Sequence, residues 1–125
     1  MLLMQNSPQW VVACYAVARA NAVLVPVNPM NRAEELKHTI TDPDVKVAIC
    51  AADLAGELIK ASGELPPEQR LTHLLVSHYG DAIGPQAELP EAWKTWIETR
   101  HPLPTLPDGS GSDWREALAP SLKHI

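Results

Sequence analysis

The residue types that could do chemistry in this chain of 125 residues are few and scattered. Cys14 and Cys50 each lie in an apolar stretch with no His beside them in sequence. A thiol in that setting is a small buried hydrophobe rather than a nucleophile. His38 falls among Glu34, Glu35 and Lys37, on the polar side of a helical pattern, where an imidazole is solvated. The pairs Glu34-Glu35 and Asp42 with Asp44 stand at a helix end and a turn, which account for carboxylates without a metal or an acid–base role. HExxH, CxxC and GxSxG patterns are absent. A parallel α/β sheet binds nucleotides at the carboxyl ends of its strands. The stretches expected there are Gln5-Asn6-Ser7-Pro8, Asn28-Pro29-Met30-Asn31 and Ala51-Ala52-Asp53, and none carries a glycine-rich phosphate loop. Gly109-Ser110-Gly111-Ser112 follows no strand pattern and has no Lys, so it reads as linker. The expectation is therefore no catalytic, no cofactor-binding and no metal-ligating residue in this chain.

The bulk composition narrows the class further. A net charge of −5 and scattered basic residues exclude a nucleic-acid-binding stripe. No apolar run reaches the length of a membrane span. Met1-Leu2-Leu3-Met4 lacks a basic start and soon meets Asn6 and Pro8, so no leader is expected, and the cytoplasm is the expected compartment. The apolar run at the very first residue looks like a strand entered from outside, as in a cut domain.

The elements that must position any site follow from pattern and punctuation. Met1–Gln5 reads as a strand. Ser7 is the expected N-cap of a helix over Pro8–Ala20, with Pro8 at its first position, where a missing N–H costs nothing. That helix is apolar nearly all round, so burial on more than one side is expected. Asn21 is the expected left-handed stop. Val23-Leu24-Val25 reads as a buried central strand, ended by Pro26, and Asn28-Pro29 closes the unit. Asn31 is the expected cap of a second helix, with Glu34 at capping-box spacing and Ala33, Leu36 and Ile40 inward; Thr41-Asp42-Pro43 stops it. Lys46–Cys50 is the next strand. Asp53 is the expected cap of a helix over Leu54–Ala61, with Gly63 as its stop, and Leu71–His78 is a further strand. Glu88–Thr99 reads as a helix that packs Trp93 and Trp96 onto the sheet. His101–Ser112 is Pro/Gly/Ser-rich and reads as an exposed linker, and Asp113 as the cap of a short helix over Trp114–Leu118.

Strands alternating with helices imply an α/β fold: a doubly wound, mainly parallel sheet with helices on both faces. The expected division is an α/β subdomain over residues 1–100 and a linker with a terminal helix over 101–125.

Several runs also resemble one enzyme family. They are Met4-Gln5-Asn6-Ser7-Pro8-Gln9-Trp10, then Arg19-Ala20-Asn21-Ala22-Val23-Leu24-Val25-Pro26-Val27-Asn28-Pro29, then Glu34-Glu35-Leu36 and Lys46-Val47-Ala48-Ile49. In order and spacing they resemble the acyl-CoA synthetases of the adenylate-forming, AMP-binding ligases, and most of all the fatty-acid–CoA ligases. The family's core pattern Ala-Gly-Ala-x-x-x-Pro-x-Asn-Pro is matched by Ala20, Ala22, Pro26, Asn28 and Pro29, preceded by Arg19, with Asn21 in place of the Gly. The resemblance covers residues 1–78, and the rest more loosely. It implies ATP-dependent activation of a carboxylate through an acyl-adenylate, with Mg and CoA as further requirements of the full-length parent. Nothing here matches the family's Thr-Ser-Gly-Thr-Thr-Gly-x-Pro-Lys-Gly loop, so no catalytic residue carries over and no cofactor is expected on this fragment. The expectation is a partial ligase, inactive alone. Its partner in the parent is the remainder of the enzyme, and alone it self-associates through uncovered apolar surface or a sheet edge. The alternatives are a stand-alone α/β binding or interaction module built on the same subdomain, and an unrelated flavodoxin- or receiver-type domain.

Overall fold

The computed structural model describes residues 1–84, 87–100 and 102–122. Among them a four-stranded parallel sheet runs in the order β1 (Leu2–Leu3), β2 (Val47–Ala51), β3 (His73–Ser77), β4 (Ser112–Asp113). The helices are α1 (Pro8–Arg19), α2 (Ala33–Thr41), α3 (Ala55–Gly63), α4 (Glu91–Glu98) and α5 (Trp114–Leu122). Alternate residues of each strand point to opposite faces. Leu3, Ala48, Cys50, Leu74 and Val76 therefore pack on Leu36 and Ile40 of α2 and Leu58 of α3. Leu2, Met4 and Ala51 point the other way, onto Ala13 of α1 and Trp114 of α5. Helices thus cover both faces of an α/β sheet, as the alternation of elements predicts.

The helix starts follow the sequence with small shifts. The Trp10 N–H donates to Ser7 Oγ at 3.2 Å, with Pro8 leading the helix. The α2 cap falls one residue later than expected: the Arg32 N–H donates to Glu35 Oε2 at 2.9 Å. The Ala33 N–H is taken up by Glu57 Oε2 of α3 at 3.0 Å, which ties the two helices together. The Arg115 N–H donates to Asp113 Oδ1 at 2.8 Å, the capping role expected of Asp113. Instead of stopping at Leu118, α5 continues to Leu122. The chain ends α3 without a left-handed glycine: among the described residues the left-handed ones are Asn21, Asp44 and Gly109, and Gly63 is not among them. Leu54, rather than Asp53, holds the cap position of α3.

Three expectations need correction. Val23–Val25 is not an inner strand. It flanks β1 at the sheet's edge through a single bridge, Leu2 with Pro26, and Val23 is 85% exposed. The inner place is taken by Leu2–Leu3, and Pro26 has no N–H with which to extend a ladder. Second, α1 buries only Gln9 and Ala13, although it is apolar nearly all round. Third, α4 packs no tryptophan on the sheet: Trp93 and Trp96 are exposed, and Trp96 tilts against Tyr79 with ring centroids 4.9 Å apart. In the stretch read as exposed linker, most residues are indeed exposed, but Leu106 is buried in the main core and Ser112 pairs beside Leu75 of β3. His101, the first residue of that stretch, lies outside the described residues.

Candidate functional site at the carboxyl ends of the strands

The family-type motif spans the whole height of the sheet. At its start, α1 ends in a six-residue closure: the Ala22 N–H donates to the Val17 carbonyl at 3.1 Å and the Asn21 N–H to the Ala18 carbonyl at 3.0 Å. Asn21 sits at φ 54°, the left-handed value this closure needs, and Asn is the side chain that accepts it with least strain after Gly. The chain then runs parallel to β1. The Leu2 N–H donates to the Val25 carbonyl and the Val27 N–H to the Leu2 carbonyl, at 2.9 and 3.0 Å. Pro26 can sit between these bonds because its nitrogen is not asked to donate. Asn28 closes the unit as a side-chain turn, its Oδ1 accepting the Met30 N–H at 2.9 Å and its carbonyl the Asn31 N–H at 3.0 Å. Arg19, Ala20, Asn21 and Ala22 thus lie at the amino end of the strands, and Pro26, Asn28 and Pro29 at the carboxyl end.

At that carboxyl end Pro26, Asn28 and Pro29 line a hollow of about 360 Å³ with Met4, Gln5, Asn6, Trp10 and Val27. Every one of these residues is uncharged. A triphosphate needs positioned cationic or N–H-rich groups, and the described side chains here supply none of the cationic kind.

The ends of β2 and β3 are polar but internally stitched. The buried Gln9 of α1 donates through Nε2 to the carbonyls of His78 and Tyr79, at 2.9 and 3.2 Å. The Gln5 N–H donates to Tyr79 Oη at 3.1 Å. Burial pushes the Tyr79 phenol up to about 12, against the pull of that bond, so it stays a neutral hydroxyl. The His78 N–H donates to Asp81 Oδ2 at 3.1 Å, and Asp81 forms an ion pair with Arg100 and lies 3.5 Å from Arg115. Asp113 joins the same cluster. Burial raises its carboxyl, but the Arg115 N–H and the Arg115 and Arg100 charges together hold it below the ordinary 3.8. The His78 ring is buried with neither nitrogen hydrogen-bonded, between hollows of about 290 and 100 Å³. Among the described residues no group of three or more His, Cys, Asp or Glu could hold a metal ion.

The remaining candidates stand apart from this region or are inert. Cys14 and Cys50 are both free thiols, and burial first, then the Asp53 charge, pushes Cys50 up to about 12. His38 is exposed. Glu34 pairs with Lys37 at 2.8 Å and Asp44 with Lys46 at 2.7 Å. Sequence reasoning missed Gln9, His78 and Asp81. Only Gln9 carried a signal: it lies one helical turn before Ala13, on the face that α1 turns inward.

A model of the family described as AMP-binding enzyme matches residues 1–109. The long-chain-fatty-acid–CoA ligase of Salmonella typhimurium is 28% identical over 82 residues, 66% of this chain and 14% of that protein. The enzyme of the same name from Escherichia coli O157:H7 is 27% identical over the same share of each chain. This chain thus spans a small part of the length of the curated relatives it matches. No solved structure matches it. No described helix is long and apolar enough to cross a membrane. The family match runs from the first residue past α4 and over all but the last strand of the parallel sheet: the chain belongs to the AMP-binding enzyme family.

Proposed function

We propose that this chain is a scaffold segment of a fatty-acid–CoA ligase, and that by itself it neither adenylates a carboxylate nor binds ATP tightly. ATP, Mg and CoA would belong, on this reading, to the complete enzyme, where they would supply the adenylyl group that activates the carboxylate as pyrophosphate leaves, the charge that stabilises its transfer, and the thiol that displaces AMP. The contribution of this chain is positional. Asn21, Pro26 and Asn28 fix the course of the edge ribbon, and Gln9 anchors α1 to the end of β3. The observation that carries the reading is the uncharged hollow at Met4–Asn6 and Pro26–Pro29, in a segment similar to long-chain-fatty-acid–CoA ligases. In water an unbound triphosphate is well solvated, and a site without charge-assisted donors does not compete for it. Self-association of the isolated chain in the cytoplasm or in dilute buffer is part of the same proposal, since apolar surface is left open.

The test is ATP–pyrophosphate exchange with the purified 125-residue chain, fatty acids of several lengths and Mg²⁺. The expected result is exchange no faster than in buffer. Exchange that saturates with fatty acid overturns the reading.

A further inference from the structure

The turn after β3 holds a group with no structural role yet assigned. His78 is 7% exposed, and neither of its ring nitrogens has a hydrogen-bond partner among the described residues. A buried nitrogen without a partner costs stability, and folded proteins seldom keep one. The backbone that carries the ring is pinned on both sides. Gln9 holds the His78 and Tyr79 carbonyls, and Asp81 takes the His78 N–H. The imidazole is thus held in place by its backbone while its own nitrogens stay unbonded.

The ring borders a hollow of about 290 Å³, formed with α4 and the loop before it. Gly80 lets α4 come close: a Cβ there would stand 2.7 Å from the Ile97 carbonyl. Trp96, tilted against Tyr79, ties α4 to the same turn. Ile83, Leu89 and Ile97 give the hollow an apolar wall, and its charged residues, Glu98 and Arg100, are exposed. An engineered cavity of roughly 150 Å³ takes up benzene, and small-molecule sites begin at roughly 300 Å³. The hollow is therefore sized for one small ring. A second hollow that His78 and Ile97 also line, of about 100 Å³, is too small for one.

We propose that the larger hollow binds a small uncharged molecule with an apolar ring or short chain and a hydroxyl or amide end. The polar end bonds the His78 ring, and the rest lies against Ile83, Leu89 and Ile97. A neutral imidazole offers one N–H and one lone pair, which a hydroxyl or amide complements either way round. An anion is disfavoured, because the Arg100 charge is already paired with Asp81 and Glu98 lines the same hollow. A metal ion would meet one imidazole and no cluster of ligands among the described residues. Water alone fits poorly, since a buried water needs about two to four polar partners and the apolar wall offers none from its side chains. The inference does not depend on the scaffold reading: nucleotide exchange and small-molecule binding are separate readouts, so either can fail alone.

The experiment titrates the full chain with phenol, toluene and benzoate, followed by the amide signals in nitrogen–proton correlation NMR. Phenol and toluene share a ring and differ by the hydroxyl, and benzoate adds a charge. Phenol is expected to move the His78, Gly80 and Ile97 amides saturably and to bind roughly tenfold more tightly than either of the others. His78→Phe keeps a ring of similar shape and is expected to bind phenol and toluene alike. Leu89→Trp fills the hollow and is expected to abolish binding of both, with circular dichroism checking that each variant folds. No saturable shift from phenol below the concentration that melts the fold would overturn the proposal. So would equal binding of phenol and toluene by the unmodified chain, benzoate binding tightest of the three, or a phenol preference that survives in folded His78→Phe. Where His78→Phe fails to fold, the three probes on the unmodified chain and on Leu89→Trp decide, and phenol shifts that persist in Leu89→Trp overturn the site.

Discussion

The two faces of the sheet are built from the same strands, one residue out of phase, yet one is covered more completely than the other. Under α2 and α3, Leu36, Ile40, Ala48, Leu58, Leu74 and Val76 are without solvent exposure. Under α1 and α5, Val47 is half exposed and Ile49 and Leu75 are only partly covered. Both faces are apolar because a parallel sheet expects layers on both sides. The closed face buries more apolar side chains, and the open one leaves Val47, Ile49 and Leu75 only partly covered. That division is what the following measurements test.

The largest difference should come from truncating one side chain on each face. Leu58→Ala removes a buried side chain among close neighbours and is expected to lower the unfolding free energy by about 2–5 kcal/mol. Val47→Ala, on the open face, is expected to cost under about 1 kcal/mol in dilute solution. Urea denaturation measures both, and equal losses would erase the distinction between the faces.

The cysteines sharpen it chemically. Cys50 lies on the closed face with its thiol pushed up to about 12, whereas Cys14 lies half-buried on α1. An alkylating reagent is expected to modify Cys14 in the native chain and Cys50 only through unfolding, so that Cys50 labelling rises steeply in urea. The pH dependence has a definite sign. A thiol that ionises near 9.0 when unfolded and near 12 when folded holds its proton longer in the native state. Stability is therefore unaffected below pH 9 and falls as pH rises from 9 towards 12. Replacement by Ala should remove the part of that alkaline slope that begins at pH 9, leaving the part that Tyr79, raised from 10.0 to about 12, contributes above pH 10, seen by thermal melts at stepped pH; a slope between pH 9 and 10 that persists in Cys50→Ala would assign it to other groups.

Pattern and punctuation in the chain made the closed face readable. Leu36 and Ile40 repeat at helical spacing, Val47–Ala51 is a short apolar run, and Ser7-Pro8 marks a helix start, all of them local signals. The open face was misread for a physical reason. An unbroken run such as Val23-Leu24-Val25 has the composition of an inner parallel strand, but composition states only that a segment wants cover, not that the chain provides it. The same holds for α1, whose apolar circumference was read as burial. In the carboxyl-end cluster, Gln9 was opaque because it reaches the backbone carbonyls of His78 and Tyr79, 69 and 70 positions away, which no side-chain pattern announces. Ser112 was read as the end of a linker and Asp113 only as a helix cap, because a two-residue strand holds its place by pairing with β3, not by its own sequence.

The effect expected at Asn21 is small, and it separates backbone from packing. Its side chain is exposed, so substitution there alters little contact. At φ 54° a Cβ-bearing residue without a helpful side chain meets the left-handed penalty, about 1 kcal/mol. Asn21→Ala should lose roughly that amount, and Asn21→Gly should match or slightly exceed the parent, because glycine has no Cβ to strain. The loss should also be local. The ribbon that Asn21 feeds is held by a single bridge at Pro26, so the Leu2 and Val27 amides, which bond across that bridge, should exchange faster with solvent in Asn21→Ala. The amides of α2 and α3 should keep their protection, since nothing on the closed face depends on that turn. If exchange accelerates equally on both sides of the sheet, the ribbon is energetically coupled to the whole core, and the two faces are one cooperative unit in spite of their unequal cover.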